Sequence, residues 1–350
     1  MDSVLVTGGC GYIGSHAVLS LLEKGFNVYV IDSYDNSSPL VISRIKKFFK
    51  NKKFKLPNNL YLIKGDVRNI KDLEKVFLKT QDKGDTINGV IHFAGLKAVE
   101  ESLKYPLCYW DNNLVGTINL IKVMQKFDCK TLIFSSSATI YSNSLKKELK
   151  ENSLIKPINP YGRTKATVEI FLKDIFQSDN SWKIINLRYF NPIGAHPSGV
   201  IGENPIGIPR NIFPLILKVA SKKISELKVY GNDWNTKDGT CVRDYIHVVD
   251  LADGHIAALN YLQNNDPQIV NLNLGTGKGH SVLDLINIFQ AVNNIEVPYS
   301  FTKRRKGDQA KIVADNSKIL STLNWFPKKS LESMCLDGWN WHLMNPNGYC

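Results

Sequence analysis

Tyr161 and Lys165 stand four residues apart in the stretch NPYGRTK, residues 159–165. On a helix that spacing puts a phenol and an ammonium on one face, one above the other. Pro160 suits a first helical turn, where its missing N–H would be unpaired in any case. A tyrosine ordinarily ionises near ~10. A neighbouring ammonium favours the phenolate, so Tyr161 can act as a general base. Ser137, at the end of the run TLIFSSS, can hydrogen-bond the same substrate hydroxyl or relay its proton. The plainer alternative for the pair is an amphipathic helix edge with a lysine snorkelling to water.

A second group of residues could hold a cofactor. Gly8, Gly11 and Gly14 form a G-x-x-G-x-x-G run in TGGCGYIGSH, after a strand-like segment and before a helical one. Glycine permits a tight turn and lets a pyrophosphate approach the backbone, while the helix start offers N–H groups and a positive dipole end. Asp32 ends the next strand-like run, NVYVID. A carboxylate there accepts hydrogen bonds from a ribose 2′-OH and repels a 2′-phosphate, which points to NAD rather than NADP. The alternative is a glycine-rich turn with no ligand.

The elements that must position these groups alternate. SVLVTG, NVYVID, LYLIKGD, GVIHFAG, TLIFSSS and KIINLRYFN read as strands. Helical patterns follow Tyr12 and cover 70–79, 111–127 and 161–177. This alternation predicts an α/β fold, a doubly wound parallel (Rossmann) sheet with helices on both faces. Ligands of such sheets bind beyond the C-terminal strand ends, so Ser137, the glycine loop and the Tyr161 helix should face one crevice. After about residue 190, proline and glycine become frequent and the alternation breaks. The expected division is an NAD-binding domain over 1–188 and a smaller C-terminal α/β substrate domain over 189–350, with 244–275 packing back onto the first.

Composition narrows the class. The chain has 350 residues, 43% hydrophobic and 22% charged, as expected for a globular protein. The start, MDSVLVTGG, lacks the basic flank and long apolar core of a signal peptide, and no run is long enough to span a bilayer. Cysteines at 10, 108, 129, 241, 335 and 350 form no C-x-x-C pair. That spacing suggests no zinc or other metal site and no disulfide frame, and so reduced thiols in the cytoplasm. The net charge of +12 comes from dispersed lysines apart from KKFFKNKKFK at 46–55, read as a solvated helix and loop rather than a nucleic-acid surface.

The glycine run, Ser137 and Tyr161-x-x-x-Lys165 resemble the extended short-chain dehydrogenases/reductases. HFAGLKAVEES (92–102), DNNLVGT (111–117), FSSSAT (134–139), LRYFNPIGAHPSG (187–199), DGTCVRDYIHVVDLADGH (238–255) and RRKGD (304–308) narrow the likeness to the UDP-glucose 4-epimerase family, from Val4 to about Trp341. That resemblance implies Ser137, Tyr161 and Lys165 as catalytic residues. It puts Gly8, Gly11, Tyr12, Ile13, Gly14, Asp32, Ser33, Asn36, Ser37, Asp66, Val67, Phe93, Ala94, Gly95, Lys97, Asn112 and Tyr189 on NAD-contacting positions, with Ser137, Tyr161 and Lys165. Asp66 and Val67 would hold the adenine, and Lys97 would sit near the cofactor ribose and phosphate. Lys97, Ser137, Tyr161, Phe190, Asn191, Asn211, Ile212, Tyr230, Arg243, Arg305, Asp308 and Ile312 fall on positions that hold the UDP-sugar. The arginines suit a diphosphate, which a guanidinium grips with paired hydrogen bonds. Taken alone, Arg243-Asp244 could equally be a surface ion pair. The resemblance also implies a homodimer, with helices 111–127 and 161–177 pairing across a two-fold axis.

Three positions depart from the family pattern: Ser142 in place of glycine after Tyr141, Ser33 beside the adenosine ribose, and Ile312 where side-chain bulk gates N-acetylated sugars. The implied activity is inversion at C4 of UDP-glucose and UDP-galactose through a 4-keto sugar, in galactose metabolism and sugar-nucleotide supply. A sugar-nucleotide 4,6-dehydratase is the nearest rival, but it carries an Asp-Glu pair after the catalytic Ser/Thr, where this chain has Ala138-Thr139. A non-catalytic NAD-sensing protein would lack the Tyr161–Lys165 pair.

Overall fold

The protein is described by a computed structural model over residues 2–51, 59–142, 148–207, 209, 211–305 and 307–349. In chain order the first elements are β1 (Ser3–Thr7), α1 (Tyr12–Glu23), β2 (Asn27–Asp32), α2 (Leu40–Asn51), β3 (Leu60–Lys64), α3 (Ile70–Gln81) and β4 (Ile87–His92). Then come α4 (Val99–Lys104), α5 (Pro106–Tyr109), a π-helical turn (Trp110–Val115), α6 (Gly116–Lys126), β5 (Thr131–Ser137), α7 (Pro160–Ser178) and β6 (Lys183–Tyr189). The rest are β7 (Asn191–Ile193), α8 (Ile212–Ala220), β8 (Leu227–Tyr230), β9 (Val242–His247), α9 (Val248–Gln263), β10 (Gln268–Leu274), β11 (Gly279–Ser281), α10 (Val282–Asn293), β12 (Tyr299–Thr302), β13 (Lys311–Ile312), α11 (Ser317–Leu323) and α12 (Leu331–Met344).

These elements form two compact units. The first holds Met1–Ile140, Pro157–Arg188 and Ala252–Leu272; the second holds Tyr141–Lys156, Tyr189–Leu251 and Asn273–Cys350. A seven-stranded sheet of order β10-β6-β5-β4-β1-β2-β3 is the frame of the first unit. The run β5-β4-β1-β2-β3 is parallel throughout. The fold is the α/β doubly wound type that the alternation predicts. β1 and β2 are buried along their whole lengths, as a sheet covered on both faces requires. Leu5, Tyr29, Val90, Leu120, Leu132, Val168 and Trp182 are among the residues of its core.

The order reverses at β1, which pairs with β2 on one side and β4 on the other, Thr7 lying opposite both Ile31 and His92. That switch point is where ligands of open parallel sheets sit. Amphipathic helices cover the sheet. On α2, Val41, Ile42, Ile45, Phe48 and Phe49 point inward while Lys46, Lys47 and Lys50 are exposed. The remainder of that basic block, from Lys52 to Lys55, lies outside the described residues.

The second unit is built on β9, which pairs with β11, β13 and β7. A separate parallel pair, β8 with β12, joins Tyr230 to Thr302 in register. Its core gathers Phe213, Ile216, Tyr245, Phe289, Met334 and Trp339. Among the described residues no helix is long and apolar enough to cross a membrane. No cluster among them could hold a metal ion, and Cys10, Cys108, Cys129, Cys241 and Cys335 form no disulfide.

Candidate active site

The glycine loop is dictated by contact. Gly8 has φ +68°, and a Cβ there would lie 2.7 Å from the Ala94 nitrogen on the neighbouring loop. A Cβ on Gly14 would lie 2.2 Å from the Gly8 carbonyl oxygen. The loop therefore packs directly on the first turn of α1, a closeness only glycine permits. Gly11 is the N-cap residue of α1, so no side chain caps this helix start. Tyr12 and Ile13 open the helix, and the Lys97 ammonium sits 5.9 Å from the Tyr12 ring.

Asp32 closes β2 beside this loop and is buried. Its Oδ2 accepts from the Cys10 N–H at 2.9 Å. Its Oδ1 accepts from the Tyr34 N–H at 3.0 Å and the Ser37 hydroxyl at 2.7 Å. Three of the roughly four acceptor directions of a carboxylate are thus used by the chain itself. Burial, with Asp32 adding to it, pushes the Cys10 thiol upward, so it stays protonated. Ser33 accepts from the Asp35 N–H at 3.4 Å, and Asn36 is exposed. Asp66 and Val67 follow β3. Hydrogen bonds from Arg68 hold the Asp66 carboxyl below its usual range, and the same guanidinium reaches Asp111 at 3.3 Å.

Phe93, Ala94 and Gly95 leave the end of β4 over a buried polar chain. The Thr117 hydroxyl donates to the Asn113 carbonyl at 2.6 Å, so it must accept from His92 Nε2–H at 2.9 Å. His92 Nδ1 then accepts from the Thr7 hydroxyl at 2.6 Å, and Thr7 Oγ1 accepts from the Ala94 N–H at 3.3 Å. One neutral tautomer satisfies every member. Burial, and secondarily the Lys165 charge, drops His92 to about 3, which keeps it neutral.

Asn113 sits in the π-helical turn, a wide turn that is frequent at functional sites. Its Oδ1 accepts from the Leu96 N–H at 2.8 Å, and its Nδ2 donates to Leu96 O at 3.1 Å and Thr164 Oγ1 at 3.0 Å. Thr164 donates in turn to the Tyr161 carbonyl at 2.7 Å. Asn113 therefore ties the Gly95–Lys97 loop to the helix carrying Tyr161. The sequence reading singles out its neighbour Asn112, which is only half-buried. The signal for Asn113 was the adjacent asparagine in DNNLVGT, but a regular helical period does not distinguish the two.

Helix α7 begins as NPYGRTK suggests. The Asn159 side chain accepts from the Gly162 N–H at 2.8 Å and Pro160 takes the first turn. Gly162 is needed because a Cβ would lie 2.6 Å from the Thr139 carbonyl oxygen. Tyr161 and Lys165 are both buried. The Lys165 ammonium donates to the Ser135 carbonyl at 2.8 Å and lies 4.7 Å from the Phe134 ring. Burial pushes it down to about 8, against the pull of Glu169. Ser137, on the same strand, accepts from the Thr139 hydroxyl at 3.0 Å. Behind them lies a group absent from the sequence expectations: buried Glu169 accepts from Ser136 at 2.5 Å and pairs with buried Arg188 at 2.6 Å.

In the second unit the expected ligand-holding residues fall into three places. Tyr189 ends β6, Phe190 is buried just after it, and Asn191 opens β7. Asn211 is the N-cap of α8 before Ile212, yet its side chain makes no cap bond. Arg243 and Ile312 are register partners on β9 and β13, with Arg243 donating to the Gln309 carbonyl at 2.8 Å. Close in sequence to Gln309, Arg305 pairs with Asp308 at 3.0 Å and lies 5.4 Å from the Tyr230 ring. Asp244 is no surface ion-pair partner of Arg243. It is fully buried, accepting from Thr276, Gly277 and Ala314, and burial raises its carboxyl.

Fold and site together define a protein of the short-chain dehydrogenase/reductase type. Residues 5–337 match the family model described as GDP-mannose 4,6 dehydratase. The chain is 49% identical to UDP-glucose 4-epimerase 2 of Arabidopsis thaliana, over 99% of this chain and 97% of that one. The structure superposes with a TM-score of 0.92 on UDP-glucose 4-epimerase of Bifidobacterium longum in complex with NAD+ and UDP, at 43% identity over 99% and 100% of the two chains. It matches UDP-glucose 4-epimerase of Stenotrophomonas maltophila, with bound NAD and formylated UDP-arabinopyranose, at TM-score 0.92 and 41% identity over 99% of each chain. The chain belongs to the UDP-glucose 4-epimerase family.

Proposed function

We propose that the protein interconverts UDP-glucose and UDP-galactose by inverting C4 through a 4-keto sugar, with NAD as its cofactor. The observation that carries this reading is the buried Tyr161–Lys165 turn, tied by Lys165 to the strand that ends in Ser137. The first unit fits a dinucleotide. Its glycine cradle would be filled by any Cβ, its α1 start has no side-chain cap, and Asp32 keeps an acceptor direction beside them. Gly8, Gly11, Tyr12, Ile13, Gly14, Asp32, Ser33, Asn36, Ser37, Asp66, Val67, Phe93, Ala94, Gly95, Lys97, Asn112 and Tyr189 are the residues we assign to hold it. When bound, NAD accepts the C4 hydride and returns it.

The chain's own groups do the rest. Tyr161 takes the 4-OH proton and later returns it, with the Lys165 ammonium one turn on favouring the ionised phenol. Ser137 orients the hydroxyl. Phe190, Asn191, Asn211, Ile212, Tyr230, Arg243, Arg305, Asp308 and Ile312 hold the UDP-sugar, chiefly by its nucleotide and diphosphate. That distribution leaves the hexose loose enough to present its other face.

Dehydration at C5–C6 would need a further acid and base after Ser137. The residues there are Ala138 and Thr139, and Thr139 spends its hydroxyl on Ser137. We also infer a homodimer in which helices 111–127 and 161–177 pair with their copies, with α4 and α5 beside them. Leu103, Leu107, Val115 and Ile170 are 59%, 81%, 41% and 63% exposed on these elements, an apolar set that water would not favour leaving bare. A cytoplasmic setting in galactose metabolism, with no nucleic-acid or membrane partner, is part of the same proposal. The test is conversion of UDP-galactose to UDP-glucose by purified protein without added NAD. A stoichiometric load of nicotinamide nucleotide in the denatured supernatant is expected. Absence of both turnover and nucleotide would reject the reading.

A further inference from the structure

Two consecutive arginines follow β12, and only the second is assigned a ligand above. Arg304 is held by three contacts of its own. Its guanidinium lies 4.1 Å from the Trp234 ring, its Nε donates to Asp233 Oδ1 at 2.8 Å, and its terminal NH2 nitrogen donates to the Asp233 carbonyl at 2.5 Å. The Trp234 indole N–H is directed back to the Tyr230 carbonyl at 3.2 Å. The turn between them is shaped for this. Gly231 has φ +81°, its N–H donates to Thr302 O at 2.8 Å, and a Cβ there would lie 2.5 Å from Trp234 Nε1 and 2.9 Å from Arg304 Cγ. Arg305 points its charge to the other aromatic of the same turn, Tyr230, and to Asp308.

An isolated surface ion pair contributes little. Here a planar guanidinium is fixed on a ring face, a carboxylate and a carbonyl at once, a set of constraints a lysine could not satisfy. Such fixing matters for a neighbour that must meet a diphosphate with two aligned N–H groups.

We propose that Arg304 is a positioning residue: stacked on Trp234 and bonded to Asp233, it sets the backbone so that Arg305 is aimed at the diphosphate of the nucleotide-sugar. The proposal rests on the assignment of Arg305 to that diphosphate. Trp234→Ala removes the stack, and Arg304→Met keeps the apolar stem while removing the guanidinium. Both should weaken UDP binding by about two- to fivefold, the scale of an exposed cation–π contact. Both should raise KM for UDP-galactose while leaving kcat within about twofold, because no reacting atom is touched. Trp234→Tyr should bind UDP as the unmodified protein does. Uridine, which lacks the diphosphate, should bind all four proteins alike. Equal weakening of uridine and UDP, or UDP binding unchanged in both disruptive variants, would overturn the proposal. If the unmodified protein fails to bind UDP, the functional reading fails instead.

Discussion

The Lys165 ammonium donates to the carbonyl of Ser135, two residues before Ser137 on one strand. A buried cation is thereby tied to the backbone that presents the serine. Its pKa falls from 10.5 to about 8 through burial. Between those values the unfolded chain binds a proton that the folded chain lacks. The lysine's contribution to stability therefore rises with pH across roughly 8 to 10.5, and its full burial penalty is present below about 8. In Lys165→Met that rise should vanish, seen as a shrinking difference from the unmodified protein in urea midpoints taken at pH 7.5 and pH 10. Turnover should fall and its pH optimum should move upward.

Tyr161→Phe should lower kcat by ~10²–10⁴-fold, the usual contribution of a general acid–base group. Only a hydroxyl is lost, so the thermal midpoint and nicotinamide content should hold. Rates within a factor of two of the unmodified enzyme would remove Tyr161 from its assigned role.

Glu169 and Arg188 form a buried pair at 2.6 Å. Removing one partner strands the other charge, which typically costs about 3–5 kcal/mol. Arg188→Met should show that loss in denaturant unfolding, and Glu169→Gln, which leaves a buried guanidinium that cannot shed its charge, should lose at least as much. A neutral result for Arg188→Met would mean that the pair is solvated.

Ile170 is 63% exposed on α7, and Leu107 is 81% exposed on α5. Light scattering at micromolar concentration should give about twice 39.4 kDa. With Ile170→Asp and Leu107→Asp together it should give the monomer mass. A single-chain mass for the unmodified protein would refute the dimer.

Ile312 is half-buried and opposite Arg243 in register. As a β-branched residue it is stiff at χ1. UDP-galactose should be preferred, with slow turnover of UDP-N-acetylgalactosamine, since pocket differences of this size discriminate roughly 10–200-fold. Ile312→Tyr should abolish the second activity and spare the first. An unchanged ratio of the two would show that Ile312 is not the gate.

Much of the site was legible because it is local. Strand, glycine loop, helix and acid follow one another in sequence, and Tyr161 and Lys165 share one turn, so spacing alone locates them. The roles of Asn113, His92, Thr117 and Glu169 were not legible: most of their side-chain partners lie 17 to 85 residues away, and the stretches HFAGLKAVEES and DNNLVGT do not say which of their residues bond across the fold. The π-helical turn breaks the regular period that would have pointed Asn113 inward. β10 was legible only in part: residues 244–275 are expected to pack back onto the first domain, but QIVNLNL is not marked as a strand, and only pairing across the chain gives it a place in the large sheet.

The first unit adds that late strand as one edge of its sheet, through residues 252–272. During synthesis the first unit is therefore unfinished until residue 272 has left the ribosome, long after Tyr161 and Lys165 have emerged. A chain stopped at 188 would leave β6 as a bare edge, a template for pairing with another chain. Completing the sheet requires contacts between segments far apart in sequence, and such topologies fold slowly. Premature fragments of this protein are therefore expected to pair with other chains rather than to show partial activity.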